Sequence, residues 1–429
     1  MKQIPTVLFL LFLMYNTYAQ KTTSSQRLLL LIEDVTVIPM HINKVLEHQD
    51  VILEDGVIIQ IRKHTDQDTS TYSLGRIDGR NKFLVPSFSD AHVHLPEEEN
   101  LERVFLMNIM NGVTTLRSMR GEAWHLDIDK NAPFTPRLYL STPVISRSDS
   151  LSPRMAENLL AQYKQSGYDF VKIMSVKDPT TFDYLVGASK KHQLPLAGHC
   201  PSNINIFNVS NSGVFQSIEH LGGFFTLTTM EEIQHAVDAS LAGNVYHCPT
   251  FGWYYTGQIP PTDLRKRPGT KYVPSSWIEK WEKQISEHEV ETSKEGRQKE
   301  RTISAQRFKS RLMYLGFIYR QGGQLLLGAD ASGIYGIPGF DVHAEMQHYA
   351  NADVSNYDIL KTTCYNLSKV FGEEKNWGTI KVGCQSDMVL LNANPLEDIK
   401  NTNKIEGVIF KGNYYTQDYL KKRLEQIAK

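Results

Sequence analysis

Residues 83–95 read FLVPSFSDAHVHL, an apolar run that closes on Asp90, His92 and His94 at every second position. On a strand, positions two apart project to one face, so both imidazoles can converge on one ion. Imidazole is the commonest side-chain ligand for zinc and related divalent metals. His-x-His alone is a weak signal. Two histidines at the downstream end of a hydrophobic strand, with more His and Asp at later strand ends, form a much stronger one.

Outward from this stretch, short apolar runs alternate with helix-like segments, the βα pattern of a parallel sheet or barrel. The candidate strands are 83–95, 113–118, 138–145, 170–176, 195–200, 217–221, 245–250 and 324–331. Helical spacing of apolar residues appears in 101–110, 182–192 and 230–241. Such a series suits a TIM (β/α)8 barrel, whose chemistry sits at the C-terminal ends of its strands. Residues 252–311 interrupt it with a Tyr-, Gly- and Pro-containing loop and then a charged run, read as a long helix that either folds over the barrel mouth or is a solvated excursion. Residues 28–40 and 50–62 are β-rich, with Glu54-Asp55-Gly56 as a hairpin signal, and a matching tail follows in 387–391 and 407–415. The expected division is a signal peptide over 1–19, a small β-sandwich from 26–82 and 377–420, and a catalytic barrel over 83–376.

The first twenty residues, MKQIPTVLFLLFLMYNTYAQ, carry Lys2, a short apolar core and a small-residue cleavage site ending at Ala19. That is a targeting pattern, so the mature chain is expected to be exported, periplasmic or secreted, with no membrane span. A net charge of −1, with 41% hydrophobic and 22% charged residues, gives no electrostatic footprint for nucleic acid. Cys200, Cys248, Cys364 and Cys384 show no paired spacing and are expected as free thiols, the first two at strand ends beside the site.

The downstream end of each strand supplies a consistent ligand set. Strand one gives His92 and His94, and strand four, DFVKIM, gives Lys172. LPLAGHC ends with His199, QSIEH at His220 and LLLGAD at Asp330. A charged, unpaired lysine between Val171 and Ile173 is costly to bury. Either it snorkels or pairs, or its neutral amine takes up carbon dioxide and the carbamate bridges two metals. The second reading counts no other acidic residue at a strand end. Asp330 either caps the next turn or binds metal and shuttles the proton of a bound water, whose hydroxide attacks a polarised carbonyl.

These motifs together resemble the amidohydrolase superfamily over nearly the whole mature chain. FSDAHVHL is similar to its opening His-x-His motif, DFVKIM to its strand-four lysine, AGHCP and SIEHLGG to its strand-five and strand-six histidines, and LLGADAS to its strand-eight aspartate. WGTIKVGCQSDMVLLNANPLEDI resembles its return into the small sandwich. The resemblance implies a distorted TIM barrel and two divalent ions, usually zinc, with manganese, cobalt or iron also compatible. His92 and His94 would hold the more buried ion and His199 and His220 the other. Carboxylated Lys172 would bridge them, and Asp330 would be ligand and proton shuttle.

Prolidase-like dipeptidases and imidazolonepropionase-related proteins are the subgroups most similar. The strand-two TTLRSMRGE places Ser118 where relatives commonly carry aspartate, and SRSDSLSP lacks the glycine- and histidine-rich loop of dipeptidase relatives. Arg117 is either a substrate contact or half of a structural salt bridge. Tyr246 and His247 are candidates for a substrate carboxylate or carbonyl, while His343 and His348 read as supporting or surface residues.

The expected function is hydrolysis of a C–N bond in a small molecule, a dipeptide or a cyclic amide. The alternatives are a lactone or phosphoester substrate on the same centre, or a metal-binding receptor without turnover.

Overall fold

The computed structural model describes residues 29–65 and 75–428, so the expected signal segment lies outside the described residues. The strands are β1 (Leu29–Val37), β2 (Leu46–Glu54), β3 (Val57–Lys63), β4 (Gly75–Asp78), β5 (Phe83–Pro86), β6 (Phe88–Val93), β7 (Val113–Ser118), β8 (Arg137–Leu140), β9 (Val171–Ile173), β10 (Leu196–Gly198), β11 (Phe215–Glu219), β12 (Tyr246–Cys248), β13 (Met388–Leu391), β14 (Ile405–Phe410) and β15 (Asn413–Thr416).

Both chain ends build one mixed sheet in the order β15-β14-β13-β5-β1-β2-β3, with β4 beside β1. The Asp-Gly hairpin signal forms as read: Asp55 and Gly56 both take positive φ (48° and 81°), which matches the right-handed twist of β2 and β3. The sheet curls until its two ends meet. Ile58 donates its N–H to the Cys384 carbonyl, and a Cβ on Gly56 would lie 3.2 Å from the Gly412 nitrogen in the β14–β15 turn. Ile32, Val51, Leu53, Leu84, Leu390 and Ile409 form its own apolar cluster, separate from the main core. All eight strands belong to one continuous hydrogen-bonded sheet.

Two parallel sheets follow, β6-β7-β8 and β9-β10-β11-β12. Their strands are short and buried on both faces, as in VKI, LAG and YHC, which is why they read as apolar runs without alternation. Bridges Ser141–Phe170 and Ile145–Ile173 join the first sheet to the second. The eighth expected strand, 324–331, forms no ladder of its own. It bridges to β12 at His247–Leu325, and on its other side Ala91 donates to the Leu327 carbonyl and Asp330 to that of His92.

The opening stretch is not one strand. Pro86 ends β5, which pairs with β13 and β1, while β6 pairs with β7, so FLVP belongs to the curled sheet and SFSDAHV to the parallel one. Proline has no N–H to continue a ladder, and Ser87 turns instead to the Asp387 carbonyl.

Helices occupy the expected stretches at Leu101–Met110, Pro179–His192 and Met230–Ala242. Residues 252–311 differ from the expectation of a loop and one helix. Two short helices, Gly252–Thr256 and Pro261–Leu264, lead into two long ones, Ser275–Glu291 and Lys294–Arg320. The break falls at Thr292, in extended backbone, and Ser293 caps the second helix by accepting from the Gly296 N–H.

Candidate metal centre

His92, His94, Lys172, His199, His220 and Asp330 all line one cavity of about 610 Å³ at the C-terminal ends of the parallel strands. His92 lies within β6 and Lys172 within β9. His94, His199 and His220 directly follow β6, β10 and β11, and Asp330 lies near the end of the 324–331 segment. Gly198 makes this convergence possible: its φ is 134°, and a Cβ there would fall 2.1 Å from the Ile173 carbonyl oxygen. Without that clash β10 closes on β9, and His199 donates its N–H to Ile173 beside Lys172.

Asp330 faces three imidazoles, at 3.5 Å from His94 Nε2, 3.9 Å from His92 Nε2 and 4.0 Å from His220 Nδ1. The His220 ring stands 4.9 Å from that of His92 and 4.7 Å from that of His199. Ligand atoms of His92, His220 and Asp330 lie within 4.8 Å of one another. His220 and Asp330 both adopt left-handed backbone, with φ of 61° and 46°, a strained choice for residues other than glycine.

Burial, then the charge of Lys172, pushes His94 and His199 down to about 4, and burial holds His92 and His220 well below the ordinary imidazole value. All four rings are therefore neutral near pH 7, the form that offers a lone pair. Their orientation is set from behind. His92 Nδ1 donates 2.8 Å to Glu219 Oε2, and His220 Nδ1 donates to Thr250 Oγ1, whose hydroxyl is committed to the Pro249 carbonyl. Each ring thus keeps Nε2 as a free acceptor, the arrangement that a metal-ligating imidazole needs.

Lys172 is 2% exposed, and among the described residues no hydrogen bond or ion pair holds its ammonium. Desolvation lowers it to about 8, against the pull of Glu219 and Asp330. Asp330 is raised to about 6 by burial, opposed by the Ser332 hydroxyl, which donates at 2.7 Å, and by Lys172.

The sequence profile of the amidohydrolase family matches residues 83–414, which is most of the chain. The chain belongs to the amidohydrolase family. An adenine deaminase of Clostridium perfringens (strain 13 / Type A) is 24% identical over 193 residues, 40% of this chain and 33% of that protein, so the match spans about a third of the relative's length. Among solved structures, a Xaa-Pro dipeptidase with methionine bound in its active site superposes with a TM-score of 0.67 at 18% identity, over 90% of this chain and 100% of that one. A bottromycin amidohydrolase gives 0.73 at 19% identity, over 93% and 90%. These superpositions establish a shared α/β fold. Divalent metals are typical of the family, in keeping with the donor set just described.

In this amidohydrolase three expected substrate contacts lie away from the cavity. Arg117 is fully buried, donating from Nε to the Ala91 carbonyl and from its terminal amine 2.6 Å to Glu219, so it is the structural salt bridge. Tyr246 and Cys248 point into the apolar cluster between the strands, and Tyr246 also lines a cavity at their opposite, N-terminal ends. His247, on the other face of β12, packs edge-on to Phe224, with neither ring nitrogen hydrogen-bonded among the described residues. His343 and His348 are buried core residues rather than surface ones. All four cysteines are free, and none lines the cavity.

Glu219 corrects the count of strand-end acids. It is the last residue of β11, fully buried, and is shared by His92, Arg117 and Ser217. Its neighbour His220 supplied the signal, but strand alternation would send adjacent side chains to opposite faces. The left-handed turn at His220 lets both reach inward. Asp90 is buried too, accepting from the backbone N–H groups of His92 and Ala329 and so joining β6 to the eighth segment. The insertion adds Trp253, Tyr254, Ser304 and Arg307 to the cavity wall.

Proposed function

We propose that this amidohydrolase is an exported, metal-dependent hydrolase of C–N bonds in a dipeptide or a cyclic amide, acting within a distorted (β/α)8 barrel closed by the 324–331 segment. The observation that carries the reading is Asp330 standing 3.5–4.0 Å from three neutral imidazoles. The donor set fits divalent metal: Nε2 of His92 and His220 is free because Glu219 and Thr250 occupy Nδ1. His92, His94, His199, His220 and Asp330 would hold two ions, zinc by preference, with Lys172 bridging them as a carbamate. Such ions acidify water and polarise a carbonyl.

The chain's own residues do the rest. Asp330 takes a proton from the attacking water and returns it to the departing nitrogen, serving first as base and then as acid. Glu219 and Thr250 keep the rings in one tautomer. Trp253 and Tyr254 shield the wall of the cavity on the insertion side.

A mononuclear reading also has its observation: among the six residues lining the cavity as expected ligands, His92, His220 and Asp330 bring ligand atoms within 4.8 Å of one another. Metal content of protein purified without chelator separates the two. Two ions per chain, falling toward one or none in Lys172→Ala, supports the bridged pair, whereas one ion indifferent to Lys172 overturns it. Export is tested by the N-terminus of the protein recovered outside the cytoplasm, expected at Gln20.

A further inference from the structure

A second cavity of about 510 Å³ adjoins the metal cavity, and the two share His94, Arg120 and Ser332 as walls. Trp124 enters it from the loop after β7, and Trp277 and Trp281 from the first long helix of the insertion. Trp281 is buried against Tyr335, its ring 4.9 Å away, while Trp277 stands half-buried with its ring 6.0 Å from that of Trp281. Trp124 is held by its indole N–H, which donates 3.0 Å to Glu122. The three indoles form an aromatic wall opening beside the candidate metal centre. Arg120 stands at the junction of the two cavities, exposed and without an ion-pair partner among the described residues.

On the reading that this site hydrolyses C–N bonds, we propose that the second cavity is a specificity subsite for the amine-side product, an α-amino acid with an aromatic side chain. The ring lies among Trp124, Trp277 and Trp281, and the α-carboxylate meets the Arg120 guanidinium. The scissile carbonyl then falls in the metal cavity. An aromatic side chain and a carboxylate borne on one α-carbon fit this arrangement because the aromatic wall and the unpaired cation border the same opening. Flat rings favour offset or edge contacts with indoles, and a guanidinium matches a carboxylate with two parallel donors.

Glu97, Glu98 and Glu122 also line the cavity, so a cationic side chain is the competing occupant. The test uses the metal-loaded full chain with Gly-Phe, Gly-Trp, Gly-Ala and Gly-Lys, and measures calorimetric binding of L-phenylalanine, L-phenylalaninamide, L-alanine and L-lysine. Roughly tenfold to hundredfold higher kcat/KM for Gly-Phe and Gly-Trp than for Gly-Ala is expected, with phenylalanine bound more tightly than alanine. Trp277→Ala, and independently Trp124→Ala, should collapse both ratios. Arg120→Gln should weaken phenylalanine while leaving phenylalaninamide unmoved.

Hydrolysis without aromatic preference, or preference for Gly-Lys and lysine, overturns the subsite and leaves the hydrolase reading intact. No dipeptide turnover with aromatic-selective binding retained overturns the dipeptide reading and sustains the subsite. Neither turnover nor selective binding overturns both.

Discussion

Glu219 and His220 are neighbours in the chain that work on the same ring cluster from different depths. Glu219 accepts from His92 Nδ1 and pairs with Arg117, all three groups being essentially without solvent contact. In Glu219→Gln the remaining carbonyl oxygen is held by Arg117 and Ser217, so an amide NH2 replaces the oxygen facing His92 and offers a donor where it needs an acceptor. Metal affinity should fall about 10–100-fold, read by competition with a chelator. Asp330→Asn should retain metal yet lose hydrolysis, which activity and metal content measured on one preparation decide.

His343 makes a pH prediction outside the site. Its Nε2 donates to the Asn111 carbonyl and its Nδ1 meets Thr402, and burial lowers it to about 4. The unfolded chain then binds the extra proton first, so stability is complete above about pH 6.5 and falls as pH drops toward 4. His343→Gln should remove on the order of 2 kcal/mol of the loss between pH 6.5 and 5, measured by urea unfolding at each pH. Legibility at this scale follows from chemistry. His92, His94, Lys172, His199, His220 and Asp330 stand out because polar groups at the ends of apolar runs are costly unless used. Glu219 was hidden because alternation predicts the opposite face, and the positive φ of His220 has no sequence mark comparable to glycine.

Among the elements, the helical pair of the insertion depends on Arg311. Its guanidinium lies 3.4 Å from the Tyr254 ring centroid and 4.2 Å from that of Phe225, joining the Lys294–Arg320 helix to the short helix Gly252–Thr256 and to the turn after β11. A cation between two aromatic faces is worth about 1–2 kcal/mol when partly desolvated. Arg311→Ala should therefore leave the global unfolding midpoint little changed while speeding proteolytic cleavage between residues 252 and 311. Unchanged cleavage would show that the pair is held by other contacts. The sequence marked this region as unusual but misjudged its form, because the turn at Thr292 and Ser293 lies inside an unbroken polar stretch. Folding over the barrel mouth is one of the two readings the sequence leaves open, but which residues line the cavity was unreadable, since Ser304 and Arg307 meet the strand ends only through tertiary packing.

For the whole molecule, the β-rich composition of both ends announced a shared sheet, and the apolar runs between them announced parallel strands. What composition could not place was the join. Ser87 alone separates β5, paired with a strand some three hundred residues later, from β6, which carries His92. Deleting the tail from Met388 onward should expose the β5 edge and abolish metal binding along with folding, as assessed by circular dichroism and metal content. A truncated chain that still binds metal would show that β6 folds without its sheet neighbour.

That join also sets a clock on biosynthesis. At about 5–20 residues per second, roughly 15–60 s pass between the emergence of β5 and that of β13. Through that interval the strand leading into the His-x-His motif has a bare edge, a template for wrong pairing. Nascent chains would then be the vulnerable form of this protein, and a holding factor that masks one four-residue strand would protect the entire molecule until its last sheet strands arrive.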